Sequence, residues 1–155
     1  MLTLRRKTPR EDVSVLSTSD RPVLLATLDV PFSEEATAFA VDSAVESGKP
    51  LVVVNAAEVL PTAYALLGYG YVEREELQEA LGKPAVLAHS LAVRVERLRV
   101  CSPHPVDALL EVTAERNPAI LVFGPDPTQL RPRQYRKAER AVRERAACLV
   151  WTAEV

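Results

Sequence analysis

Four residues have the strongest claim to contact a ligand: Asp29, Gly124, Arg131 and Lys137. Asp29 ends the apolar run PVLLATLD, where a carboxylate can hydrogen-bond a base or another polar group. The plainer use of such an Asp is an Asx turn or helix cap at a strand–helix junction. Gly124 closes the run AILVF and opens Gly124-Pro125-Asp126-Pro127. Arg131 and Lys137 belong to a block, residues 131–145, with seven Arg or Lys against Glu139 and Glu144. Arg and Lys side chains can hold phosphate without help from glycine. The block also reads as a solvated helix face carrying the i,i+4 partners Glu139–Arg143 and Arg140–Glu144.

Other constellations are thinner. Tyr64, Tyr69 and Tyr71, with Gly68 and Gly70 among them, suit a stacking lid, an ordered loop or an oligomer interface. Cys101 and His104 have C-x-x-H spacing, but a zinc site needs further ligands, so no metal is expected. Ser102, His104 and Asp107 lack a G-x-S-x-G nucleophile elbow. They read as helix-capping residues, with Asp107 favourably placed in a first turn. No catalytic residue is assigned.

Composition narrows the choices. The 155 residues hold five glycines, where average usage of roughly 7% would give about eleven, and 12 prolines. Neither GxxxxGK[ST] nor GxGxxG occurs, so the commonest nucleotide cradles are excluded. Net charge is −2, with +5 over residues 131–145 and −8 over residues 23–130. That balance does not suggest nucleic-acid binding. No apolar run approaches the ~20 residues of a membrane helix. MLTLRRKTPRED has no signal-peptide core, and two cysteines fit a reducing compartment. The expected setting is cytoplasmic, with no membrane partner.

The elements that must position these residues alternate between strand and helix. Residues 1–21 are polar and basic and read as an N-terminal arm or flexible tail, and residues 22–155 as one domain. Strands are expected at 22–29, 51–59, 93–100, 119–123 and 148–151. The first helix starts at the N-cap Ser33, carries Ala36, Phe39 and Ala40 on one face, and stops at Gly48 and Pro50. Residues 73–92 look helical, with a break or kink expected at Gly82-Lys83-Pro84. A third helix starts at Pro105 and ends by Asn117-Pro118, and a basic fourth runs from Pro132 to about Ala147. Apolar strands separated by helices predict an α/β fold: one doubly wound parallel five-stranded sheet, order 3-2-1-4-5, helices on both faces. Ligands in such sheets bind beyond the carboxyl ends of the strands where the winding reverses, here between strands 1 and 4. That point brings Asp29 toward Gly124-Pro125-Asp126-Pro127.

PVLLATLD, SPHPVDALLEVTAERNPAILVFG and AACLVW, in that order and spacing, resemble the universal stress protein family over roughly residues 22–152. The resemblance implies an adenine nucleotide α-hydrolase-like fold and a homodimer. In the family's ATP-binding branch the glycine after strand 4 begins Gly-x-x-Gly-x9-Gly-Ser/Thr, which holds ribose and phosphates. Gly124 matches its first position. Pro127, Lys137 and Ala138 stand at the others, so the implied phosphate cradle is missing. Asp29 matches the family's adenine-contacting Asp.

The sequence is therefore read as a non-catalytic stress-response or regulatory module acting through oligomerisation, without the family's usual ATP binding and with no cofactor expected. The alternative is a nucleotide or phosphate-anion binder with a degenerate loop, using Asp29, Gly124, Arg131 and Lys137. That alternative admits an adenine nucleotide. Strand 5 is an edge in this topology and can pair with a second subunit.

Overall fold

A computed structural model describes residues 21–59 and 74–153. Its strands are β1 (Val23–Thr27), β2 (Leu51–Glu58), β3 (Val95–Ser102), β4 (Ile120–Phe123) and β5 (Leu149–Thr152). The helices are α1 (Glu34–Ser47), α2 (Glu75–Ser90), α3 (Pro105–Arg116) and α4 (Pro132–Arg145), with a 3-10 turn at Pro127–Gln129. All strand pairs are parallel and the order is β3-β2-β1-β4-β5, as the sequence predicts.

Side-chain alternation along each strand divides the core into two layers. Val23 and Leu25 of β1, Leu51 and Val53 of β2 and Val122 of β4 face α1 and α2. Leu24, Ala26, Val52, Val54, Leu121 and Phe123 face α3 and α4. Every β1 residue is buried, because helices cover both sides of this central strand. Ala36, Ala40 and Ala44 repeat at four-residue intervals on the buried face of α1 and let it approach the sheet closely.

The helix ends follow the local chemistry. Ser33 Oγ accepts from the Ala36 N–H at 3.1 Å, and Glu34 and Glu35 occupy the positive end of α1. Gly48 ends it at φ 72°, a left-handed conformation that glycine adopts without penalty. Asn117 ends α3 in the same region, just before Pro118.

α2 corrects one expectation: it runs unbroken through Gly82-Lys83-Pro84. Leu77, Leu81, Pro84 and Ala88 lie on one buried face of the helix. Their burial outweighs the hydrogen bond that Pro84 cannot donate. Arg21, the last residue of the expected arm, donates to the Asn117 and Pro118 carbonyls at 3.0 and 2.8 Å. The rest of that arm and the tyrosine segment with Tyr64, Tyr69 and Tyr71 lie outside the described residues.

Candidate functional site

The switch point forms where the β1–α1 and β4–α4 connections meet. Asp29 sits at φ 62°, which turns its backbone N–H toward β2. That N–H donates to Asn55 Oδ1 at 2.7 Å, and Asn55 Nδ2 donates back to Asp29 Oδ1 at 3.1 Å. Thr27 Oγ1 donates to the Val30 carbonyl at 2.7 Å and tightens the same turn. Asp29 therefore does not cap α1, a task that falls to Ser33. It is tied to a second strand through a reciprocal amide–carboxylate pair. Asn55 is a buried polar residue in the apolar run LVVVNAAE, and that isolation is the signal by which the sequence could have exposed it.

The two connections are stitched together. Ser33 N–H donates to the Gly124 carbonyl and Asp126 N–H to the Pro31 carbonyl, both at 2.9 Å. Phe32 and Pro125 form the antiparallel bridge between these bonds. Gly124 N–H donates to Ala26 at 2.8 Å. Asp126 Oδ1 accepts from the Thr128 N–H and hydroxyl at 3.0 and 2.8 Å, and Gln129 N–H donates to the Asp126 carbonyl. Pro125 and Pro127 have no N–H to offer. Across residues 124–129, every backbone donor is thus spent inside the protein, which is a complete accounting.

Gly124 has a packing reason to be glycine. A Cβ there would lie 2.8 Å from Ala36 Cβ and 2.9 Å from Leu25 Cδ1. The residue lets α1 close on β4. Arg131, at the N-cap of α4, and Lys137, within it, are both exposed. On the same helix Arg143 pairs with Glu139 at 3.6 Å, as the sequence spacing suggests, and Arg145 pairs with Asp107 of α3 at 2.8 Å.

Tyr135, in the first turns of α4, is 3% exposed and packs on Phe123 with ring centroids 5.8 Å apart. Its hydroxyl is buried without a hydrogen-bond partner. Burial raises its pKa above the ordinary 10.0; Glu139 adds to the rise and Arg143 opposes it.

Ser102, His104 and Cys148 are placed as follows. Ser102 is 1% exposed and its Oγ accepts from the His104 N–H at 3.0 Å, closing an internal turn. Burial pushes the Cys148 thiol above its ordinary range, away from a reactive thiolate. Among the described residues no three His, Cys, Asp or Glu side chains gather to hold a metal. None of the described helices is long and apolar enough to cross a membrane.

A doubly wound, all-parallel α/β sheet with its two central connections meeting beyond β1 and β4 defines the broad class of domain. The model of the universal stress protein family matches residues 20–148. The chain belongs to that family. Solved structures share the fold at low identity. A universal stress protein family member from Burkholderia pseudomallei is 19% identical, with TM-score 0.61, covering 90% of this chain and 100% of its own. UspA from Lactobacillus plantarum is 13% identical, with TM-score 0.64 and coverage of 86% and 98%. The Archaeoglobus fulgidus protein in complex with dAMP is 20% identical, with TM-score 0.59 and coverage of 86% and 97%. No curated protein sequence matches at a significant level.

Proposed function

We propose that this chain is a non-catalytic regulatory module of the universal stress protein family that acts through self-association and does not hold ATP by a glycine-rich phosphate cradle. The observation that carries this is the consumption of every backbone donor from Gly124 to Gln129 by internal bonds. An anion at that loop would have to break bonds that already satisfy the backbone, at a cost of about 1–3 kcal/mol for each donor or acceptor left buried and unpaired. The domain of residues 22–155 is cytoplasmic in this proposal. The self-association surface is the outer edge of β5, where Leu149 is 72% exposed.

Calorimetry with millimolar ATP tests the ligand half of the proposal. The expected result is no binding heat and no thermal shift. Saturable ATP binding that Asp126→Ala leaves intact would overturn it.

One specific observation favours a second reading, adenine nucleotide or phosphate binding at the switch point through Asp29, Gly124, Arg131 and Lys137. The Tyr135 hydroxyl is a buried polar atom without a partner, and a related fold was solved with dAMP. In that reading AMP binds, and Asp29→Ala and Lys137→Ala each weaken it. Absence of AMP binding at millimolar concentration removes it.

A further inference from the structure

Among the described residues five large apolar side chains are exposed, and four of them, Val45, Val86, Leu87 and Leu91, belong to α1, to α2 or to the residue that ends α2. Single exposed apolar residues are ordinary, but a group on two packed helices marks a surface that something covers. α1 and α2 lie side by side on the sheet, with Val41, Ala44 and Ala88 in one core cluster. Gly82 faces Arg97 of β3. At about 100° per residue Leu91 stands on the opposite side of α2, with Leu87 one turn before it, so both leucines look toward α1. On α1, Phe39 stacks on Trp151 of β5. Val45 is turned about 120° from Phe39, on the side of α2. Val45, Leu87 and Leu91 thus border the groove between the two helices.

The groove has an acidic bank. α1 holds Glu34, Glu35, Asp42 and Glu46 and no Lys, Arg or His. Asp42 and Glu46, on either side of Val45 in sequence, are exposed, and among the described residues no ion pair engages them. Both helices run back against the strands, so Val45 and Leu91 lie at the amino end of the sheet. There the Val23 N–H donates to the Pro50 carbonyl at 2.9 Å and the Leu51 N–H to the Arg94 carbonyl at 2.8 Å, which lines up three strand starts. Pro22 therefore stands two strand spacings, roughly 10 Å, from the start of β3. The chain before it leads from Arg21, tied to the Asn117 and Pro118 carbonyls, at the same end of the sheet. Twenty residues span at most about 66–72 Å, so the groove is within reach of residues 1–20. They open with MLTLRRKTPR, in which Leu2 and Leu4 are apolar, Arg5, Arg6, Lys7 and Arg10 are cationic, and no acid occurs. Its chemistry complements that of the groove.

We propose that residues 1–10 dock in this groove, Leu2 and Leu4 covering Val45, Leu87 and Leu91 while the cations meet Asp42 and Glu46. Tethering makes the contact intramolecular, with an effective concentration near millimolar, so a small apolar contact and a few exposed ion pairs suffice. The groove shares no residue with the β5 edge or with the switch point, and it is covered whether or not the chain self-associates or binds a nucleotide.

Limited trypsin digestion of the full chain tests it, with cleavage after Arg5, Arg6, Lys7 and Arg10 followed by mass spectrometry. A synthetic peptide of residues 1–20 is the undocked reference. Cleavage tracks the population of the open form, so these bonds should be cut about tenfold more slowly in the chain than in the peptide. Leu87→Ser with Leu91→Ser, and separately Asp42→Lys with Glu46→Lys, should bring the rate close to that of the peptide. These side chains are exposed, and an unchanged thermal midpoint confirms that both variants are folded. Leu2→Asp with Leu4→Asp leaves residues 21–153 untouched and should release the segment as well. Added salt should raise the rate in the parent chain relative to the peptide. Three results overturn the proposal: equal rates in chain and peptide, protection retained in the groove variants or in the Leu2 and Leu4 variant, or protection that rises with chain concentration, which would put the segment on a second copy.

Discussion

Gly124 and Tyr135 show how single residues divide between packing and chemistry. Gly124 stands where a phosphate-binding glycine would, yet its lack of a Cβ is needed for the approach of Ala36 and Leu25. Gly124→Ala should destabilise the fold by about 1–3 kcal/mol, the usual cost of overpacking a tight core. Denaturant unfolding measures it, and an unchanged midpoint would mean that α1 can retreat from β4 at no cost. Tyr135 makes the opposite case. Its hydroxyl contributes no hydrogen bond, so Tyr135→Phe should keep stability within about 1 kcal/mol of the parent or raise it. The folded-state pKa is raised, so the neutral phenol is favoured in the fold and its contribution is intact below the unfolded value near 10.0. Above that pH the unfolded chain loses its proton first and stability falls. Unfolding midpoints measured from pH 8 to 11 should decline less steeply in Tyr135→Phe.

At the scale of elements, the alternation of apolar strands with helices made the sheet order legible, and Ser33, Pro105 and Pro132 made three helix starts legible. β1 and β4 read as buried strands because their apolar runs are bounded by Pro22, Pro31, Pro118 and Gly124. α2 was misread at Gly82-Lys83-Pro84 because breaker residues are local signals, whereas the stripe Leu77, Leu81, Pro84, Ala88 is satisfied only by the sheet beneath it. Since a Cβ at position 82 meets nothing nearer than ordinary contact, Gly82→Ala should stabilise the protein by about 0.5–1 kcal/mol. The candidate site was legible only in part. Asp29 and Gly124 came from their positions at strand ends, and the expectation of a missing cradle from Pro127. The Asp29–Asn55 pair and the Phe32–Pro125 bridge were not legible, because each joins segments far apart in sequence whose partners only the folded topology selects.

For the whole molecule, the two sheet edges differ. β3 exposes Arg97 and Arg99, charges that discourage edge-to-edge pairing. β5 presents Leu149, with Trp151 stacked on Phe39 at 4.9 Å behind it. The asymmetry favours a two-fold assembly through β5, in which the same edge serves both copies. Leu149→Arg should raise the dimer dissociation constant about tenfold or more by placing like charges across the axis. Sedimentation across a concentration series checks this, and a parent chain that is monomeric throughout would refute the assembly.

The stitch between the β1–α1 and β4–α4 connections also sets a timescale. Its bonds, Ser33 to Gly124 and Asp126 to Pro31, join residues from opposite halves of the chain and close over the buried Ala36. Loops ordinarily open by local fluctuation, but these amides cannot reach solvent unless both connections part together. The amide protons of Ser33, Gly124 and Asp126 should therefore exchange with deuterium as slowly as those of the β1 strand, making the end of the sheet where such folds usually admit a ligand one of the slowest-breathing parts of this one.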